Sequence, residues 1–166
     1  MNNNILLMLT IIIPLLGSVL ILLFRKLPNI REFITIITAT ILFIINILLV
    51  KNVVTLSSSA SITLVSLFPG GGVQLNPEPL GLIFGLIASG LWIVTSIYSI
   101  GYMRKKKEKN QTRFYCFFAL AIAATMGVAY SGNLITLFLF YEALSLSTYP
   151  LVTHHQTEKA KQGGRT

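Results

Sequence analysis

Charge is scarce in this chain, and that scarcity decides its class. Only 11% of the 166 residues are Asp, Glu, Lys or Arg, whereas soluble domains carry about 25%. With 54% hydrophobic residues and a mean hydropathy of +0.76, the composition is that of a membrane protein. Cysteine is nearly absent as well. Cys116 stands alone among Phe114, Tyr115, Phe117 and Phe118, which excludes a disulfide framework or a cysteine metal site within this chain. Basic residues are missing before the first apolar run: Arg25 and Lys26 follow it. A secretory signal peptide has the opposite order, so the run reads as a retained helix. Also missing are a glycine-rich phosphate loop, a cofactor fingerprint and a nucleophile beside a base; Gly70, Gly71 and Gly72 lack the Lys and Ser/Thr of a phosphate loop. No cofactor and no catalytic site are expected. An enzyme label would belong to a larger assembly.

What is present is hydrophobic length. Every backbone polar group in lipid must be paired internally, which leaves helices or a closed barrel. The apolar runs are too long for barrel strands. Five spans are predicted, over 5–24, 33–50, 80–103, 114–130 and 133–152, each near the ~20 residues that cross the hydrocarbon core. Basic residues set the orientation. Twelve of the thirteen fall in the loops after spans one and three and in the tail 153–166, leaving Lys51 on the other side. The positive-inside rule then places the N-terminus outside and the tail in the cytoplasm of a multi-pass inner-membrane protein. The net charge of +8 is therefore topological. It has no aromatic interleaving, and no nucleic-acid partner is expected. Membrane lipid is the expected surroundings, and Lys105, Lys106 and Lys107 could also contact anionic headgroups.

The outside loop 53–79 contains an apolar, β-branched stretch over 62–68. Pro69, Gly70, Gly71 and Gly72 interrupt it, and 73–75 follows. This predicts a short hairpin on the outer surface. Glu78 lies where α-helical structure begins again, and a carboxylate there complements a helix N-terminus.

Glu142 carries the most chemistry. It sits near the middle of 133–152 and is the single acidic residue in any predicted span. Ionisable groups at that depth are costly and by default mark an ion or proton path with a partner elsewhere. Ser145 and Tyr149 follow at helical spacing and share its face. Such a stripe is expected to be buried against protein or a water-filled cavity. Burial favours the neutral acid and a neighbouring cation favours the carboxylate, so a moving neighbour can change its protonation. The alternative is a structural polar contact between helices. Pro150 either kinks this helix or ends it. His154 and His155 could collect protons at the cytoplasmic mouth; otherwise they are a solvated loop pair.

The block from Asn133 to Val152, with Tyr141-Glu142-Ala143-Leu144-Ser145 at its centre, resembles the proton-conducting antiporter-like membrane subunits. That family includes subunits of Mrp-type sodium/proton antiporters and of respiratory complex I. The tail residues His154-His155-Gln156-Thr157-Glu158 look most like the Mrp D type, and 75–88 also resembles the family. The resemblance implies that Glu142 is the essential glutamate of the fifth helix, paired with a lysine on a later helix. It implies inverted helical repeats, of which this chain would hold an incomplete first part. The fold expected is an all-α membrane protein of about five transmembrane helices with a short outside β-hairpin, one membrane-domain piece of a larger bundle. Its partners would be other subunits of a multisubunit antiporter or respiratory complex, and a second polypeptide could carry the missing helices. The function expected is proton translocation in a monovalent cation/proton antiporter. Two alternatives stand beside it: an antiporter-like subunit of NADH-quinone oxidoreductase, and a non-transporting fragment of a split or decayed gene.

Overall fold

A computed structural model describes residues 3–55, 61–68, 71–106 and 110–153. Five helices account for most of them: α1 (Asn3–Leu23), α2 (Pro28–Val50), α3 (Pro79–Lys106), α4 (Gln111–Ala129) and α5 (Leu134–Val152). All five are long and apolar enough to cross a membrane. At 1.5 Å per residue, even the 19-residue α4 and α5 reach about 28 Å, close to the ~30 Å of a hydrocarbon core. The predicted all-α membrane fold is therefore the observed one.

The boundaries differ where polar side chains find partners inside the bundle. Span two was expected to begin at Phe33, but α2 begins at Pro28, whose fixed φ and missing N–H suit a first helical turn. Arg31 and Glu32 are thus helical and buried, not loop residues. Glu142 is accordingly not the single carboxylate carried by a long apolar helix. At the other end of α2, a π-helical turn (Lys51–Thr55) continues the helix into what was expected to be loop. Helix α3 runs through Arg104, Lys105 and Lys106, three basic residues placed after the predicted span. A cation in the last turn complements the helix C-terminus.

The bundle is built outward from α4. Helix α1 packs on both α2 and α4, α3 packs on α2 and α4, and α5 packs on α4. The core between them holds Leu42, Leu49, Trp92, Tyr115, Met126 and Tyr130. Cys116 is buried and unpaired, as its apolar setting suggested.

Two antiparallel strands, β1 (Ile62–Phe68) and β2 (Gly71–Leu75), form the expected hairpin. Gly71 and Gly72 belong to β2 and not to the turn. The backbone explains why: a Cβ on Gly72 would lie 2.1 Å from the Val65 carbonyl oxygen, so only glycine fits so close to the facing strand. The hairpin is tied to the α4–α5 connection. Asn76 N–H donates to the Tyr130 carbonyl (2.8 Å) and Gly132 N–H to the Gln74 carbonyl (2.8 Å). Asn133 Nδ2 donates to the Gly72 carbonyl (2.7 Å). Asn133 also caps α5, its Oδ1 accepting from Thr136 N–H at 2.8 Å. The cap satisfies one of the helix's free N–H groups and fixes where α5 starts relative to the hairpin.

Candidate functional site

Helix α5 carries the predicted stripe, and its packing decides where that stripe points. Among its residues only Thr136 and Ser147 are buried. Phe140 is the anchor on α4: a Cβ on Gly127 would come within 2.1 Å of the Phe140 ring, so the two helices touch where the small residue leaves room. Glu142, Ser145 and Tyr149 all lie on exposed surface of α5, and the helical period puts them on one face. Flanking them, Phe138, Leu139, Tyr141 and Leu146 are exposed as well. The expected burial of Glu142 is thus not met among the described residues, because none of their elements packs over that side. Among the described residues, no hydrogen bond or ion pair reaches its carboxylate. The helix runs only two residues beyond Pro150, so the proline accompanies termination. His154 and His155 lie outside the described residues.

Two polar clusters that the sequence did not single out support this frame. At one end of the bundle Glu32 is 4% exposed and Arg31 5%. Arg104 grips the Glu32 carboxylate with two hydrogen bonds, Nε to Oε1 at 3.2 Å and Nη2 to Oε2, and its Nη2 also donates to Asn29 Oδ1 at 2.7 Å. Arg31 donates to Thr112 Oγ1 (2.9 Å) and Gln111 Oε1 (2.7 Å). Its guanidinium stands 5.2 Å from the centroid of the Tyr115 ring, and one of its nitrogens is 3.7 Å from Glu32. This cluster ties α2, α3 and α4 together. The signal for it was the adjacent pair Arg31-Glu32 just before an apolar run, which reads equally well as solvated loop.

Toward the other end, Asn46 is fully buried in α2. Its Oδ1 accepts from the Tyr130 hydroxyl at 2.6 Å. Its Nδ2 donates to Ser89 Oγ at 3.0 Å and to the Gly85 carbonyl at 3.2 Å. A Cβ on Gly85 would collide with the Tyr130 hydroxyl at 2.2 Å. Tyr130→Phe should therefore leave a buried amide oxygen unpaired, at a cost of about 1–2 kcal/mol. Denaturant unfolding in detergent, measured by circular dichroism, reads that loss; an unchanged midpoint would mean the hydroxyl contributes nothing.

The helices and the bundled apolar surface define a multi-pass membrane protein, with a mid-helix carboxylate on an uncovered face. Comparison with known proteins narrows the class. The chain is 31% identical over 159 residues to the Na(+)/H(+) antiporter subunit A1 of Staphylococcus aureus, covering 93% of this chain and 19% of the relative. The subunit A1 of Staphylococcus aureus strain JH9 matches with the same identity and coverage. The chain thus spans about a fifth of the length of these relatives. In fold, it matches a chain in the structure of the membrane-bound sulfane sulfur reductase, an archaeal respiratory membrane complex. That match has a TM-score of 0.82 at 17% identity and covers 96% of this chain and 32% of the other. No protein-family model matches. The chain is homologous to the antiporter A1 subunits, and its sequence and fold are consistent with the antiporter-like membrane subunit family. These relatives carry the A1 name, whereas the D-type likeness rested on tail residues outside the described part.

Proposed function

We propose that this chain forms part of a proton-translocating subunit of a multisubunit monovalent cation/proton antiporter, with Glu142 as a proton-carrying group. The observation that carries the reading is the place of Glu142. It stands eight residues into α5, about 12 Å along the helix axis, on a face that none of the described residues covers. A carboxylate at that depth needs a protein or aqueous neighbour. The neighbour would be a helix outside these residues that supplies a cation, with Ser145 and Tyr149 offering hydroxyls beside the contact. Protonation of Glu142 would release that cation, whose changed proton affinity would drive the next transfer. The homology to sodium/proton antiporter subunits favours the antiporter assembly over a respiratory one, and sister subunits of that assembly would be the partners. Neutralising Glu142 in the complete complex tests the reading.

The orientation proposed is that of the positive-inside rule. Arg25, Lys26, Arg31, Arg104, Lys105, Lys106 and Arg113 belong to one end of the bundle, where Arg104 meets Glu32 and Arg31 meets Thr112. Lys51 sits at the end where Asn52 meets Asn3, at 2.9 Å. With the basic end cytoplasmic, a Lys105→Cys variant in intact cells should resist a membrane-impermeant maleimide and react after permeabilisation. Labelling before permeabilisation would reverse the orientation.

A further inference from the structure

We propose that the cleft between the C-terminal end of α1 and the start of α4 binds one anionic phospholipid, its phosphate held by Arg25, Lys26 and Arg113. These three cations, with Asn110 and Thr112, line a cleft of about 630 Å³ whose floor is Leu22, Cys116, Phe117 and Leu120. Arg25 and Lys26 are exposed and Arg113 is half-buried. None of the three makes an ion pair among the described residues, whose one ion-paired carboxylate, Glu32, is held by Arg31 and Arg104. Three cations set side by side, without an ion pair among the described residues, repel one another, and an anion between them relieves that repulsion. The N-terminus of α4 faces the same cleft and adds its partial positive charge.

The apolar floor identifies the anion as a lipid headgroup and not free phosphate. Phe117 and Leu120 also line a second crevice, of about 340 Å³, that continues between α1, α4 and α5 past Ile11, Leu15, Phe140 and Leu146. From Arg113 to Ala124, also in its lining, α4 rises roughly 16 Å. That is about half of the ~30 Å hydrocarbon core, the depth of one leaflet. A phosphate at the charged mouth and an acyl chain along the crevice therefore match the site in charge, polarity and depth. This lipid would join α1 to α4 at the basic end, and the assignment stands whether or not Glu142 carries protons.

Native mass spectrometry of the purified membrane polypeptide in detergent tests it, with equimolar phosphatidylglycerol and phosphatidylcholine supplied. One phosphatidylglycerol per chain should be retained, at least about tenfold over phosphatidylcholine, a preference equal to about 1.4 kcal/mol. The triple variant Arg25→Gln/Lys26→Gln/Arg113→Gln should lose that preference, and Lys105→Gln should keep it. Leu15→Trp, which fills the crevice from an exposed position, should weaken retention with all three cations intact, so the test survives if the triple variant fails to fold. Millimolar inorganic phosphate should not displace the lipid. Equal retention of both lipids, or displacement by inorganic phosphate, would overturn the proposal. So would a crosslink placing another protein segment in the crevice.

Discussion

Replacing Glu142 by Gln in the complete membrane complex should reduce coupled proton transport by at least about 100-fold, the scale on which a positioned proton-transfer group acts. Gln keeps the size and polarity of the side chain and removes only its ability to ionise. The change should spare the fold of this chain, because Glu142 is exposed on α5 and takes no part in the Phe140–Gly127 contact that seats α5 on α4. Assembly and expression should be unchanged. Ser145→Ala and Tyr149→Phe should have smaller effects, since their hydroxyls orient or hydrate the carboxylate and carry no charge. Transport is measured by pH-sensitive dye in membrane vesicles and normalised to assembled complex. Full transport by the Gln variant would remove Glu142 from the proton path. Lost assembly with normal transport per complex would instead make it a structural contact.

The second large effect is expected at the basic end of the bundle, where Arg104 meets Glu32. Glu32→Gln should destabilise the protein by about 3 kcal/mol, the scale for breaking a buried ion pair from one side. The cost arises because Arg31, 5% exposed, loses the carboxylate 3.7 Å away and keeps only neutral partners in Gln111 and Thr112. Arg104→Gln should cost less. Its side chain is 54% exposed, so water replaces much of what is lost, and Glu32 keeps Arg31 nearby. Comparing the three proteins by denaturant unfolding in detergent gives the order wild type, Arg104→Gln, Glu32→Gln. An equal midpoint for Glu32→Gln and wild type would show that the cluster contributes nothing to stability. Because this site and Glu142 share no partners among the described residues, Glu32→Gln should leave transport per folded complex intact.

The five helices were legible because lipid-crossing segments have one solution for their backbone and a long apolar signature. The hairpin was legible from β-branched residues broken by proline and glycine. The start of α2 was not. Arg31 and Glu32 carry the local marks of a loop, and only Arg104, Gln111 and Thr112, some 70 to 80 residues later in the chain, make them affordable inside a helix bundle. Asn46 was passed over for the same reason. A lone amide in an apolar run says nothing of its partners, and the Tyr130 hydroxyl lies 84 positions away. At the candidate site, the spacing of Glu142, Ser145 and Tyr149 gave the shared face, since that follows from the helical period alone. The spacing could not say what lies opposite.

The sequence by itself determined a membrane protein with five spanning helices, the asymmetric placement of its basic residues, and a carboxylate halfway along the fifth helix. These follow from local properties: hydropathy over a window, charge in a loop, and a period of 3.6. Only the tertiary structure decided which polar groups are satisfied within the chain and which face outward. It buried Glu32 against two arginines and Asn46 against Tyr130. It left Glu142 uncovered, because α5 packs on α4 and β2 and none of the described residues covers its other side. Partner choice is a non-local property, set by the distances between helices once they pack, and no window of sequence contains it.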